Sequence, residues 1–279
     1  MQDIPNPSPS TVRDAADSAG ERRGIQSIEV GGSLLSALVR EGKPMMLKDL
    51  AREAGMPAAK AHPYLVSFGK LGLVEQDALT GRYGLGPFAL QMGLAALHGL
   101  DPLRVALAEI APLADEIQLN IAVAVWGNHG PTVVRIEECS KPIHVNMRPG
   151  TVMTPLMASA TGRLFAAFLP DRITRPIIEG ELARLVLVDQ PTPRPSRKLA
   201  DEMLDEVRHH GLARALGNPI PGINAFSAPV FDSGGNIALC ITAMGPAGTF
   251  ETEWDSPTAS KLLACAREIS RRLGFTGQS

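Results

Sequence analysis

The sequence predicts an α+β protein in two parts, a winged helix-turn-helix followed by an antiparallel sheet that carries helices. Three observations lead there. In the first 90 residues, apolar side chains recur at helical spacing in short runs that stop at glycines. From Asn120 onward the pattern changes to β-rich runs joined by tight turns. These later strands fall into two blocks separated by helices, each with its own hairpin, which favours an antiparallel sheet over a βαβ repeat. A length of 279 residues suits two domains.

Residues 1–24 are rich in Pro, Ser, Asp and Ala and nearly empty of large apolar side chains, so a disordered tail is expected. Within 32–42, Leu34, Leu35, Leu38 and Val39 sit at helical spacing and Gly42 stops the run. Leu50, Ala51 and Ala54 give 47–54 one apolar face, closed by Gly55. Pro57 suits the first turn of a third helix, where its missing N–H costs nothing. That helix should run to about Leu71 with Ala61, Tyr64, Leu65 and Phe68 inward. Residues 73–75, a turn at 77–81 and residues 82–85 read as a short hairpin. This element order is that of a winged helix-turn-helix, and Gly55 lies where its turn needs a left-handed residue.

Residues 87–99 form a linker helix with Leu90, Leu94 and Leu97 on one side; Gly99 and Pro102 separate it from a helix at 103–117. Strands follow at 121–126 and 132–137, with a third candidate at 143–147. A helix at 159–169 precedes a mixed, Pro-punctuated connection at 171–195. An amphipathic helix at 197–210 carries Met203, Leu204 and Val207. Strands at 224–231 and 236–244 flank a turn at Asp232, and a long helix at 256–273 closes the chain. The expected domains are therefore a tail (1–24), the winged helix-turn-helix (25–86), the linker helix (87–99) and the antiparallel-sheet domain (100–279).

Composition excludes several classes. Hydrophobic residues are 44% and charged residues 20%, the balance of a globular chain with a sizeable core. No stretch approaches the roughly 18 consecutive apolar residues of a membrane span. The N-terminus lacks the basic start and apolar block of a secretory signal. Cys139, Cys240 and Cys265 are widely spaced and odd in number, which points to a reducing cytoplasm. Residues 22–90 hold nine Lys/Arg against six Asp/Glu, a small excess that permits a nucleic-acid surface without establishing one.

Several stretches carry a family resemblance: 47–51 (LKDLA), 55–57 (GMP), 72–76 (GLVEQ) and 80–86 (TGRYGLG) in the first part. In the second they are 148–151 (RPGT), 158–163 (ASATGR), 211–213 (GLA), 221–222 (PG), 228–232 (APVFD) and 245–246 (GP). Each is weak alone; in order over about 25–273, they resemble the IclR family of bacterial transcription regulators. The resemblance implies a winged helix-turn-helix, a linker helix and a GAF/profilin-like effector domain. It also implies a homodimer or homotetramer that binds double-stranded operator DNA and responds to a small metabolite, often a carboxylate or aromatic acid. It implies no cofactor, metal or membrane partner.

In a helix-turn-helix, early residues of the second helix meet bases and phosphates. Here the candidates are Ala58, Ala59, Lys60 and His62, with Lys48 on the backbone, Arg82 on the wing, and Arg22 and Arg23 as a basic arm. The bland alternative for each is a solvated surface residue. Pro63 stands where the family commonly shows arginine. It costs about 3 kcal/mol in an ordinary helix interior, so either a kinked helix or impaired DNA binding is expected.

For the effector, Ser159 is a good N-cap, and the small residues Ala160 and Thr161 would let an anion approach unpaired N–H groups. The resemblance places the ligand carboxylate there. Asn218, where relatives often carry an acidic residue, and the strand residues Val230, Thr242 and Met244 are expected to line the same cavity, with Asn146 or Met147 beside them. His144 or Arg148 could supply a cation. The rival reading is an enzyme. Ser159, His144 and Asp232 are triad residue types, but Ser159 is flanked by alanines rather than a glycine elbow. His209 and His210 lack a third nearby metal ligand, and no phosphate-loop pattern occurs. No catalytic activity is therefore expected; a small-molecule-binding module with impaired DNA binding is the better alternative.

Overall fold

The computed structural model describes residues 24–141, 145, 147–185 and 196–277, and the chain divides into two compact units between Gly99 and Leu100. In the first unit, α1 (Gln26–Glu41), α2 (Leu47–Glu53) and α3 (Ala58–Lys70) precede a hairpin of β1 (Val74–Gln76) and β2 (Tyr83–Leu85) and then α4 (Pro87–His98). The apolar spacing read from the sequence becomes one core. Leu34, Leu38, Leu50, Ala51, Ala61, Leu65, Val74 and Tyr83 are buried together, with Tyr64 and Phe68 half-buried against them.

Local chemistry fixes the joints. Gly55 adopts φ +69° in the turn between α2 and α3, a conformation that penalises residues with a Cβ. Pro57 sits one position earlier than its sequence suggests. It is the N-cap, with extended ψ of 145°, rather than a first-turn residue. The wing turn is tied by Asp77, whose Oδ1 accepts from the backbone of Leu79 and Thr80 and from the Thr80 hydroxyl. Those bonds, the Thr80 backbone first, hold its carboxyl below the usual range.

The second unit is a five-stranded antiparallel sheet of β3 (Asn120–Gly127), β4 (Gly130–Glu137), β5 (Ala213–Leu216), β6 (Ile223–Phe231) and β7 (Ile237–Pro246), in the order β4-β3-β7-β6-β5. Alternation of side chains sends two sets to opposite faces. Ile121 and Val123, Phe226 and Ala228, and Leu239 and Ile241 pack against α5 (Pro102–Ile117) and α9 (Pro257–Arg272). Ala122, Ala124, Cys240 and Met244 pack against α6 (Ala160–Phe168), α7 (Asp171–Leu185) and α8 (Arg197–His210).

Two sequence expectations change. Helix α7 occupies most of the stretch read as an irregular connection. Pro176 lies inside it, while Ile178 is buried and Ile177 and Leu182 pack against the same core. Strand β5 was not anticipated; its four residues are too few to show a period. Of the third strand candidate, residues 143, 144 and 146 lie outside the described residues, as do the expected tail through Arg23 and residues 186–195.

Phe226 is fully buried between β6 and the α5/α9 layer, beside Phe250 and Trp254. Phe226→Ala is expected to destabilise the second unit by about 3–5 kcal/mol, read as a lower urea midpoint for that unit.

Candidate functional site

Helix α6 begins under tight constraints. A short 3-10 turn, Leu156–Ala158, runs directly into it, and a Cβ on Gly162 would lie 2.2 Å from the Leu156 carbonyl oxygen. Only glycine lets the turn and the helix approach this closely. The Leu156 N–H donates to both oxygens of Glu181 on α7, at 2.8 and 2.9 Å. Burial raises that carboxyl above its ordinary value, against the opposing pull of the Leu156 and Met157 backbone bonds.

Ser159 caps α6, its Oγ accepting from the Gly162 N–H at 2.9 Å. The Arg163 N–H bonds to the Ser159 carbonyl. The N–H groups of Ala160 and Thr161 have no hydrogen-bond partner among the described residues. Both residues line a narrow cleft between α6 and the sheet. Thr242 and Met244 of β7, Ala122 of β3, and Ile223 and Ala225 of β6 form its sheet wall. Met147, Met153, Asn218 and Ile220 close the sides. No lining residue among those described carries a charge.

Below the cleft runs a chain of buried hydroxyls. Thr242 Oγ1 donates to Ser227 Oγ at 2.8 Å and lies 3.0 Å from Thr161 Oγ1. Because a hydroxyl has one proton and that of Thr242 is committed to Ser227, Thr161 is the donor in the second bond. The Thr161 hydroxyl therefore presents only lone pairs elsewhere, and the donors left for a ligand at this helix end are the two backbone N–H groups. Cys240 lies beside this chain, and burial pushes its thiol up to about 11.

The structure brings Met147, Ala160, Thr161, Asn218, Thr242 and Met244 together at the cleft. Val230 is a correction. It packs in the opposite core, against α5 and α9. The cause is a β-bulge at Val230 and Phe231: Phe231 pairs with Ile237, but Val230 pairs with Leu239 and Ser227 with Thr242. The extra residue is Ala238 on β7; it flips the rest of β7 relative to β6, so Thr242 and Met244 share their face with the odd-numbered residues of β6. The same parity explains why Ile223 and Ala225 were missed. Met153 and Ile220 lie outside the strands and carry no periodic signal. Arg148 is not among the lining residues, and His144 and Asn146 lie outside the described residues.

The triad residue types serve other ends. Ser159 is the helix cap, and Asp232 holds its own turn through the N–H groups of Gly234 and Asn236. His210 stacks on Trp254 at 4.1 Å between centroids, and the Arg214 guanidinium lies 4.3 Å from the same ring.

In the first unit, Lys48, Ala59, Lys60, His62 and Arg82 are all exposed. Arg82 donates to the Pro44 carbonyl at 3.3 Å, which anchors it at the base of the wing. Helix α3 runs unbroken across Pro63. The ring is on the solvent side, and the carbonyl deprived of a donor belongs to exposed Ala59, within reach of water.

Residues 27–78 match the IclR helix-turn-helix domain, and residues 94–271 match the bacterial transcriptional regulator IclR C-terminal domain. The chain belongs to the IclR family. Its α+β architecture, a helix-turn-helix domain before an antiparallel-sheet domain, is that of IclR regulators. The crystal structure of Pseudomonas aeruginosa HmgR matches with a TM-score of 0.82 and 40% identity, over 91% of this chain and 100% of that one. The glycerol operon regulatory protein of Streptomyces griseus is 29% identical over 263 residues, 90% of this chain and 98% of that protein. The transcriptional repressor AllR of Klebsiella pneumoniae is 24% identical over 263 residues, 92% and 93% of the two chains. IclR proteins are transcriptional regulators rather than enzymes, and no described helix here is long and apolar enough to cross a membrane.

The hydroxyl chain of this IclR protein gives a direct test. Thr242→Val removes a hydroxyl at nearly constant volume and strands Thr161 and Ser227. A loss of about 1–3 kcal/mol is expected, seen as a lower urea midpoint of the second unit.

Proposed function

We propose that this IclR-family chain is a transcription regulator that binds operator DNA through α3 and the wing. Its response is to a small organic acid, a carboxylate with an aliphatic or aromatic body. The observation that carries the ligand class is the pair of unpartnered N–H groups of Ala160 and Thr161, opening into a cleft whose described lining is otherwise uncharged and mostly apolar. A helix N-terminus favours an anion, and the apolar walls suit an uncharged body. On this reading Ala160 and Thr161 hold the carboxylate, while Met147, Thr242 and Met244 shape the site. Asn218 supplies an amide that both donates and accepts.

In the DNA-binding unit, Lys48, Lys60, His62 and Arg82 supply the polar contacts, with Ala59 packed against the groove. The protein acts in the cytoplasm as a homodimer or homotetramer. Helix α4 supports that assembly. It exposes Leu90 by 65% and Leu94 by 47%, one turn apart, together with Phe88 and Met92. Apolar side chains in that number on one helix mark an association surface.

Pro63 favours a second reading, a metabolite receptor that has lost DNA binding, because the recognition helix presents a ring where a cation is common. Titrating the full-length protein against its own upstream DNA at several salt concentrations separates the two. A regulator's affinity falls steeply as salt rises, and a receptor without DNA activity shows no saturable binding.

A cognate acid at 100 times its Kd is expected to raise the melting temperature by about 5–10 °C. Ala160→Pro deletes one donor at a helix position that tolerates proline, and it should abolish most of that shift. Light scattering at micromolar concentration should report a dimer or larger species, and Leu90→Glu with Leu94→Glu should shift it toward monomer.

A further inference from the structure

We infer that α3 reads its DNA site chiefly through thymine methyl groups. The inference rests on the DNA-binding reading above and adds what the helix recognises. Opposite the buried Ala61 and Leu65, α3 turns a ridge of Ala59, Pro63, Val66 and Lys70 to solvent, and all four are exposed, Val66 by 45%. At 3.6 residues per turn these positions form one row along the helix. Three of the four are apolar on the face farthest from the core, where a surface helix is ordinarily polar.

Apart from Lys70 at its end, the polar residues flank this row, with Lys60 and Ser67 on one side and His62 on the other. The Ser67 hydroxyl donates to the Pro63 carbonyl at 3.0 Å, which commits its proton to the backbone. The thirteen residues of α3 include no Arg, Asn or Gln, which leaves Lys60 and Lys70 as its side chains of the types that pair with guanine or adenine edges, and Lys70 lies in its last turn.

The major groove offers one apolar group on its base edges, the C5 methyl of thymine. Ala59, Pro63 and Val66 are the side chains that would cover such methyls and remove them from water. The proline ring has little rotamer entropy to lose on contact. Pro63 is then a reading residue: the substitution exchanges charge-based recognition for apolar recognition. Lys60 and Lys70 remain for the phosphates.

The test uses a duplex enriched from a random pool by the full-length protein. It is synthesised once with thymine and once with uracil at every thymine of the bound region. Uracil pairs identically and lacks only the methyl. Loss of each covered methyl should raise Kd about fourfold, so two or three together give more than tenfold. The slope of log Kd against log salt should stay the same, since no phosphate contact is lost. A Pro63→Ser, Val66→Ser double variant, checked for an unchanged circular-dichroism melt, should bind the two duplexes within about fourfold of each other, the share left to Ala59. Equal affinity of the unmodified protein for both duplexes overturns the inference and leaves DNA binding intact. Failure of any duplex to enrich overturns the DNA-binding reading itself, and this inference with it.

Discussion

The close approach of the Leu156 turn to the first residues of α6 constrains the whole second unit. A helix start normally satisfies its free N–H groups with a cap, with water or with neighbouring side chains. Here Ser159 takes one, and Gly162 lets the preceding turn fold so near that little else can reach the others. Glu181 then fixes that turn from α7, and Thr161 is fixed from the sheet side through Thr242 and Ser227. The helix end is held from two directions while its two donors stay unspent. Rigid support around unspent donors is what a binding site needs, because little ordering then remains when a ligand arrives.

The hydroxyl chain also bears on what such a site can prefer. On the proposed reading, with Thr161 donating into the sheet and no charged residue in the described lining, attraction for an anion comes from backbone dipoles. A helix end contributes on the order of 0.3–1 kcal/mol at exposed sites and up to about 2 kcal/mol when partly buried. That is too little to hold a compact, highly charged metabolite stripped of water, and enough to orient a single carboxylate whose apolar body supplies the rest through burial. The described lining, apolar apart from hydroxyls and one amide, agrees with that division of labour.

Much of this architecture was legible in the sequence because the signals were local and periodic. Gly42 and Gly55 marked helix ends, Ser159 marked the start of α6, and the spacing of Leu204 and Val207 marked the buried face of α8. What was not legible depended on partners distant in sequence. Helix α7 reads as a loop because Pro176 and several charged residues break its pattern, yet Ile177, Ile178 and Leu182 find a core that other elements build. Val230 was misplaced because nothing in the sequence around Ala238 announces a bulge. That single unpaired residue on β7 decides which residues of β6 share a face with Thr242 and Met244. The cleft walls contributed by Ile223 and Ala225 follow from that same register, so they become visible only with the pairing in hand.

The charge distribution sets a further limit on the first unit. Residues 22–90 carry only a small cationic excess, and several of their basic groups are already engaged, Arg40 with Glu53 and Arg52 with Asp49. On the proposed reading, one head offers Lys48, Lys60, Lys70 and Arg82 to phosphates. Four such contacts give a salt slope near −4, well below that of proteins that hold DNA by charge alone. An apolar reading ridge adds burial energy but no long-range attraction. Tight binding must then come from joining two heads, where the second engages at a high effective concentration fixed by the first. On the proposed reading, the exposed apolar side chains of α4 and the weakly charged α3 answer the same requirement: each head is modest alone, and pairing makes the pair selective.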